Sequence, residues 1–278
     1  MTRTPTVRTL SEVLKPTGLA TLALLLLCGS GAQALERQAP TIAIIIDDLG
    51  VDRKDAMRLI DLKHPVTLAF LPYRPHTREL ANMASRHGKE VMLHAPMANM
   101  AQIGLGPGGL DLDMSREQIV RSLADSLDAV PHASGVNNHM GSLLTGEKRP
   151  MQWVMEEIAR QDLYFIDSRT TPATVAETTA RARDIPAMSR DVFLDNERSE
   201  ASIDQQFRLL LREARENGTA IGIGHPYEET IAYLERVLPK LDQYGYAVAT
   251  VSGLLAMRQN RQPVPDSAVV PLEASTTD

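Results

Sequence analysis

The stretch Thr41-Ile42-Ala43-Ile44-Ile45-Ile46-Asp47-Asp48-Leu49-Gly50 decides the fold. Ile42 to Ile46 form a short apolar run rich in β-branched residues, the pattern of a buried strand, and the run stops in two adjacent acids. The same kind of run recurs along the chain at Val66–Leu71, Glu90–Leu93, Gly135–Asn137, Tyr164–Ile166, Val192–Leu194, Ala220–Ile223 and Ala247–Val251. Amphipathic helical patterns fall between these runs. Ser115 and Gln118 form a capping box ahead of Ile119, Leu123, Leu127 and Val130, and Pro131 closes that helix. Ile203, Phe207, Leu210, Leu211 and Ala214 make a second stripe ending at Asn217-Gly218, and Pro226 suits the first turn of a third helix carrying Ile231, Leu234, Leu238 and Leu241.

Repeated β–α units imply a parallel sheet with helices outside it. The size favours one α/β domain, a deformed (β/α) barrel of about seven to eight parallel strands, over two domains. An open doubly wound sheet is the alternative. The Gly- and Leu-rich stretch from Asn99 to Leu112 reads as a long loop bordering the cleft.

The ends of the chain read differently. Arg3, Arg8 and Lys15 precede the apolar run Gly18–Leu27, and Ala32-Gln33-Ala34 supplies a small-residue cleavage signal. Residues 1–34 therefore read as a signal peptide, 35–40 as a linker, 41–258 as the folded domain and 259–278 as a Pro-, Ser- and Thr-rich disordered tail. The expected location is the periplasm or the exterior. Cleavage would remove the single cysteine, Cys28, so a metal in the remaining chain must use nitrogen and oxygen ligands. A net charge of −6 argues against a nucleic-acid surface, and aromatic residues at 4% argue against a stacking platform for sugars.

The informative pattern lies in the polar residues just past each apolar run. The first run ends in Asp47-Asp48, the third in His94, the fourth in Asn138-His139, the fifth in Asp167-Ser168-Arg169 and the seventh in His225. A parallel barrel places its catalytic residues at these strand ends. Each residue alone has a plainer explanation: Asp47-Asp48 as a helix cap, His94 as a satisfied core histidine, His225 as a cap for the next helix. Together they converge on one rim. One carboxylate with two imidazoles suits a divalent cation, zinc first among them, and leaves a position open for water or substrate.

Read in order, IIIDDLG (44–50), VMLHAPM (91–97), GVNNHMGS (135–142), FIDSRTT (165–171), RDVFLDN (190–196) and GIGHP (222–226) resemble the divergent polysaccharide deacetylase family. That family is a distant branch of the NodB-type carbohydrate esterases. The resemblance implies a general base at Asp47, a metal ligand at Asp48 and a second ligand at His94. The main family's second histidine falls at Ala98, so His139 is expected to replace it. The resemblance also implies that Asp167 orients a histidine or an arginine, with Arg169 as partner, and that His225 is the general acid. Tyr73 and Tyr227 are candidates for stacking on sugar rings, and Asn138 for a polar contact to substrate. The implied activity is metal-dependent removal of N-acetyl groups from peptidoglycan or a related glycan, with cell-wall enzymes as a further partner class. The alternatives are an inactive envelope protein that binds glycan or a cell-wall enzyme through the same cleft, and a phosphoesterase. The latter lacks a Gly-rich phosphate cradle.

Overall fold

The computed structural model describes residues 39–259. The expected signal peptide and almost all of the expected linker and tail lie outside them. In chain order the elements are β1 (Thr41–Leu49), α1 (Arg53–Asp61), β2 (Thr67–Phe70), α2 (Thr77–Arg86), β3 (Glu90–Met97), α3 (Arg116–Ala129), β4 (Ala133–Met140), α4 (Lys148–Arg160), β5 (Tyr164–Asp167), α5 (Ala176–Arg181), β6 (Ala187–Ser189), β7 (Val192–Phe193), α6 (Glu200–Asn217), β8 (Thr219–Gly224), α7 (Glu228–Val237), β9 (Ala247–Ala249) and α8 (Val251–Gln259).

Every strand pairing is parallel, in the order β6-β5-β4-β3-β2-β1-β8-β7, with β9 alongside β1. The two ends of that order meet on one segment. β6 pairs with β5, β7 pairs with β8, and only Arg190 and Asp191 separate them. Their amides bridge the seam, Arg190 donating to the Asp167 carbonyl and Asp191 to that of Ile221. The sheet is thus curled into the expected deformed barrel. All eight expected strands form, and β6 is a ninth.

Strand alternation divides the core in two. Ile42, Ile44 and Ile46 point outward and pack under the helices with Leu59, Leu80, Phe165 and Phe207. Ala43, Ile45, Ala69, Met92, Ile166, Ile221 and Ile223 point into the barrel, closed by Val251, Leu254 and Leu255 of α8. Glu90 fixes that plug by accepting from the backbone N–H groups of Val251 (2.8 Å) and Ser252 (3.1 Å) at the start of α8.

The capping box of α3 is present, and Gly218 ends α6 in the left-handed conformation that favours glycine. One helix start differs from expectation. α7 begins after Tyr227, so Pro226 lies ahead of the cap, and Leu238 and Leu241 belong to the short turns beyond the helix.

Candidate active site at the strand ends

The inward parity of the apolar interior continues upward into the polar residues. Ala43 and Ile45 lead to Asp47, Met92 to His94, Gly135 to Asn137 and His139, and Ile221 and Ile223 to His225. The site is the top layer of the barrel interior, where the same alternation that fills the core delivers acids and imidazoles. Asp48 breaks the rule, because simple alternation would turn it outward. Its φ is 58°, and the β1–β2 register shifts between Ile46 and Leu49. This bulge re-aims the side chain into the site, in a left-handed conformation that aspartate tolerates better than most residues.

Asp48, His94 and His139 come together. The Asp48 Oδ1 atom lies 2.9 Å from His139 Nδ1 and 3.3 Å from His94 Nε2, and the two ring nitrogens are 3.1 Å apart. Oδ1 is buried, yet neither imidazole meets it with hydrogen-bond geometry. An orphaned buried oxygen between two ring nitrogens is the arrangement a cation would satisfy. Ligands about 2.0–2.1 Å from a tetrahedral zinc stand roughly 3.3 Å from one another, close to the spacing seen here. The donor set therefore fits a divalent cation.

Asp47 is almost fully buried beside this triad. Its Oδ1 accepts from Asn137 Nδ2 at 2.8 Å, while Asn137 Oδ1 faces His94 Nδ1 at 2.7 Å. The amide thus links the expected base to an expected ligand, directing the lone pair of a neutral His94 at Nε2 towards Asp48. Burial pushes the Asp47 carboxyl above its ordinary range, against the pull of His94 and His225. Burial would also raise Asp48, but His139 and His94 outweigh it and hold this carboxyl far below the usual range. Burial opposes charge on His94, yet Asp47 and Asp48 prevail and lift its pKa to about 9.

His225 stands at the far end of the group, its Nε2 3.9 Å from Asp48 Oδ2. The carboxylate that orients it is Asp195, not Asp167. Asp195 Oδ1 lies 3.0 Å from His225 Nδ1, and Oδ2 accepts from the His225 backbone N–H at 2.6 Å and from Thr230 Oγ1 at 2.8 Å. Burial lowers the His225 pKa, but the bond to Asp195 and the charge of Asp47 reverse the shift and raise it. Its ring lies between aromatic neighbours, with centroids 5.2 Å from Phe193 and 5.3 Å from Tyr227.

The remaining expected residues fall elsewhere. Asp167 is buried and accepts from the Arg169 backbone N–H (2.8 Å) and Thr174 Oγ1 (2.8 Å), so it braces its own loop instead of His225. The Arg169 side chain is exposed and makes no bond to Asp167 among the described residues. Asn138 is buried, with its oxygen accepting from the Ser168 N–H and its nitrogen donating to the Met140 carbonyl. It ties the β4 and β5 loops together, with both ends of its amide engaged by the protein. Tyr227 carries His225 against its ring and the Arg198 guanidinium 3.6 Å from its centroid, so its faces serve packing. Tyr73 remains half-exposed on the rim.

Comparison with known proteins agrees with this architecture. The sequence profile of a family described as divergent polysaccharide deacetylase matches residues 44–255. The uncharacterized protein YibQ of Escherichia coli K12 is 36% identical over 233 residues, covering 84% of this chain and 73% of that protein. A Haemophilus influenzae protein, also uncharacterized, is 33% identical over 202 residues, covering 73% and 72%. Among solved structures, an uncharacterized Agrobacterium tumefaciens C58 protein superposes with a TM-score of 0.75 at 28% identity, over 78% of this chain and 89% of that one. The peptidoglycan deacetylase PdaC of Bacillus subtilis shares the fold, with a TM-score of 0.50 at 15% identity over 82% and 95% of the two chains.

Proposed function

The chain belongs to the divergent polysaccharide deacetylase family, and from that premise we propose that it is an exported, metal-dependent hydrolase that removes N-acetyl groups from a cell-envelope glycan. The observation that carries the reading is the cluster of Asp48, His94 and His139 flanked by a buried carboxylate, Asp47, and a carboxylate-held imidazole, His225. A pure binding site has no need of a base and an acid at such a cluster.

Asp48, His94 and His139 would hold the ion, through Oδ1, Nε2 and Nδ1. A divalent cation there supplies Lewis-acid polarisation of the acetyl carbonyl and makes water more acidic. The chain's own groups do the proton work. Asp47, raised by burial and positioned by Asn137, accepts a proton from the water whose oxygen bonds to the carbonyl carbon. His225, whose pKa is raised by its bond to Asp195, donates from Nε2 to the amide nitrogen as the C–N bond breaks, and acetate and a free amine result. Asp195 fixes the tautomer, because its contact with Nδ1 leaves Nε2 to face the site.

PdaC is a peptidoglycan deacetylase, which makes peptidoglycan the first substrate to try. Acetate release from N-acetylated oligosaccharides by zinc-loaded protein, measured with metal content before and after chelation, tests the reading. Release that chelation abolishes and zinc restores supports it. Metal-loaded protein that binds glycan through this rim yet releases no acetate moves the function to the inactive binding protein. Export is tested separately: the mature envelope protein should begin at Leu35, and a cytoplasmic protein keeping Met1 would exclude it.

A further inference from the structure

Arg74 stands on the same rim with nothing to bind. Among the described residues its side chain makes no hydrogen bond or ion pair, and its Nε is buried without a partner. Exposed arginines are often unpaired because water serves them. A guanidinium nitrogen shut off from solvent is different, since its lost hydration has no replacement until an acceptor arrives.

The surroundings are built to hold this side chain. The segment carrying it is bonded to the β1 loop at both ends, by the Leu71 N–H on the Leu49 carbonyl and the His76 N–H on the Gly50 carbonyl, each 3.0 Å. Gly50 lies two residues beyond Asp48, and a Cβ there would stand 3.3 Å from the Arg74 Cβ. The guanidinium lies against Gly106 of the long loop after β3, where a Cβ would come within 3.1 Å of Nη2. Arg74 is therefore wedged between the loops at the ends of the strands of Asp48 and His94. Its neighbour Tyr73 adopts a φ of 57°, a left-handed conformation that is costly for an aromatic residue, and is 46% exposed. The turn presents an aromatic ring and an unpartnered planar cation side by side.

We propose that Tyr73 and Arg74 form a recognition site for an oxyanion substituent, carboxylate or phosphate, on the glycan whose acetyl group is removed at Asp48, His94 and His139. The site rests on the deacetylase function proposed for this rim and names the substrate class: an anionic N-acetylated glycan, not a neutral one. The guanidinium offers paired N–H donors to a planar or tetrahedral oxyanion, and the tyrosine ring offers a face to the sugar that carries it. A neutral glycan would bring no charge to the Nη groups, which unlike Nε are not shut off from solvent.

The test is binding by the zinc-loaded protein, by calorimetry, of three N-acetylated oligosaccharides of equal length. One carries carboxylates, one carries phosphates in their place, and one has the carboxylates reduced to alcohols. The wild type is expected to prefer one charged glycan to the neutral one by about tenfold or more, and whichever it prefers identifies the source of the oxyanion. Arg74→Met should abolish that preference by lowering affinity for the charged glycan, and Arg74→Lys should keep part of it. Equal affinity for charged and neutral glycans, a preference that survives Arg74→Met, or binding to none of the three overturns the proposal. The wild-type comparison needs no variant, so a misfolded substitution does not block it. Acetate release is measured in parallel. Release without a charge preference removes only the recognition site, whereas a charge preference without release keeps the site and removes the hydrolase.

Discussion

Asp195 holds His225 at two points, with Oδ1 3.0 Å from the ring Nδ1 and Oδ2 2.6 Å from the backbone N–H of the same residue. A carboxylate that grips both ring and backbone sets the imidazole's direction as well as its charge. The third contact, from Thr230 Oγ1 at 2.8 Å, ties this grip to the first turn of α7.

Asp195→Asn should therefore lower the rate without removing the metal. The amide keeps the shape but loses the charge that raises the His225 pKa, and it permits the wrong tautomer. A loss of about 10²-fold or more in kcat is expected, with the alkaline limb of the pH profile moved to lower pH. A merely structural role for Asp195 would lower Tm and leave the pH profile in place.

His139→Ala should strip the metal. His139 supplies the ring nitrogen nearest Asp48, at 2.9 Å, and the methyl group of Ala98 carries no ligand atom to replace it. His132→Ala is the control, since among the described residues the His132 ring meets only Asn82, at 3.0 Å. Zinc content after dialysis should fall sharply in the first variant and match wild type in the second. Equal content in both would discard the ligand set.

Much of this site is legible in the sequence because strand parity and polar identity coincide. Asp47, His94, His139 and His225 each come just after an apolar run, and each prolongs the inward face of its strand. Two features are not legible. Nothing in the residues around Asp48 announces the bulge that turns it inward, since the register shift depends on pairing with β2. Asp195 lies 30 residues from His225, and the two meet only because β7 pairs with β8. A signal exists, because Asp195 ends the run Val192–Leu194 just as Asp47 ends Ile42–Ile46. Asp167 ends a run too, but its loop turns the carboxylate back on the Arg169 amide and Thr174. β6 gives no strand signal because Ala187-Met188-Ser189 is short and lacks β-branched residues.

Metal-free protein should lose stability as pH rises through the mildly alkaline range. His94 titrates at about 9 in the fold against an ordinary 6.5, and His225 is also raised. The folded state then holds these protons more tightly than the unfolded chain. Their contribution is fully present below pH 6.5 and disappears as pH passes through about 9. The Tm of chelator-treated protein should drop by several degrees across that interval, and His94→Gln should flatten the slope. A level or rising Tm would contradict the charge arrangement around His94.

Asp47→Asn separates the base from the metal. The carboxylate bonds Asn137 and lies outside the trio of ligand atoms, so the variant should bind zinc as wild type does. Its acetate release should fall by about 10²–10⁴-fold, the usual worth of a general base. His225→Ala should produce a comparable loss through the leaving amine. If base and acid act in one step, the double variant should be little worse than either single one, because groups that work as a unit are not additive. Multiplied losses would place the two proton transfers in separate steps. Zinc content measured on each variant keeps the comparison clean, and full activity in Asp47→Asn would remove Asp47 from the reaction while leaving the metal site standing.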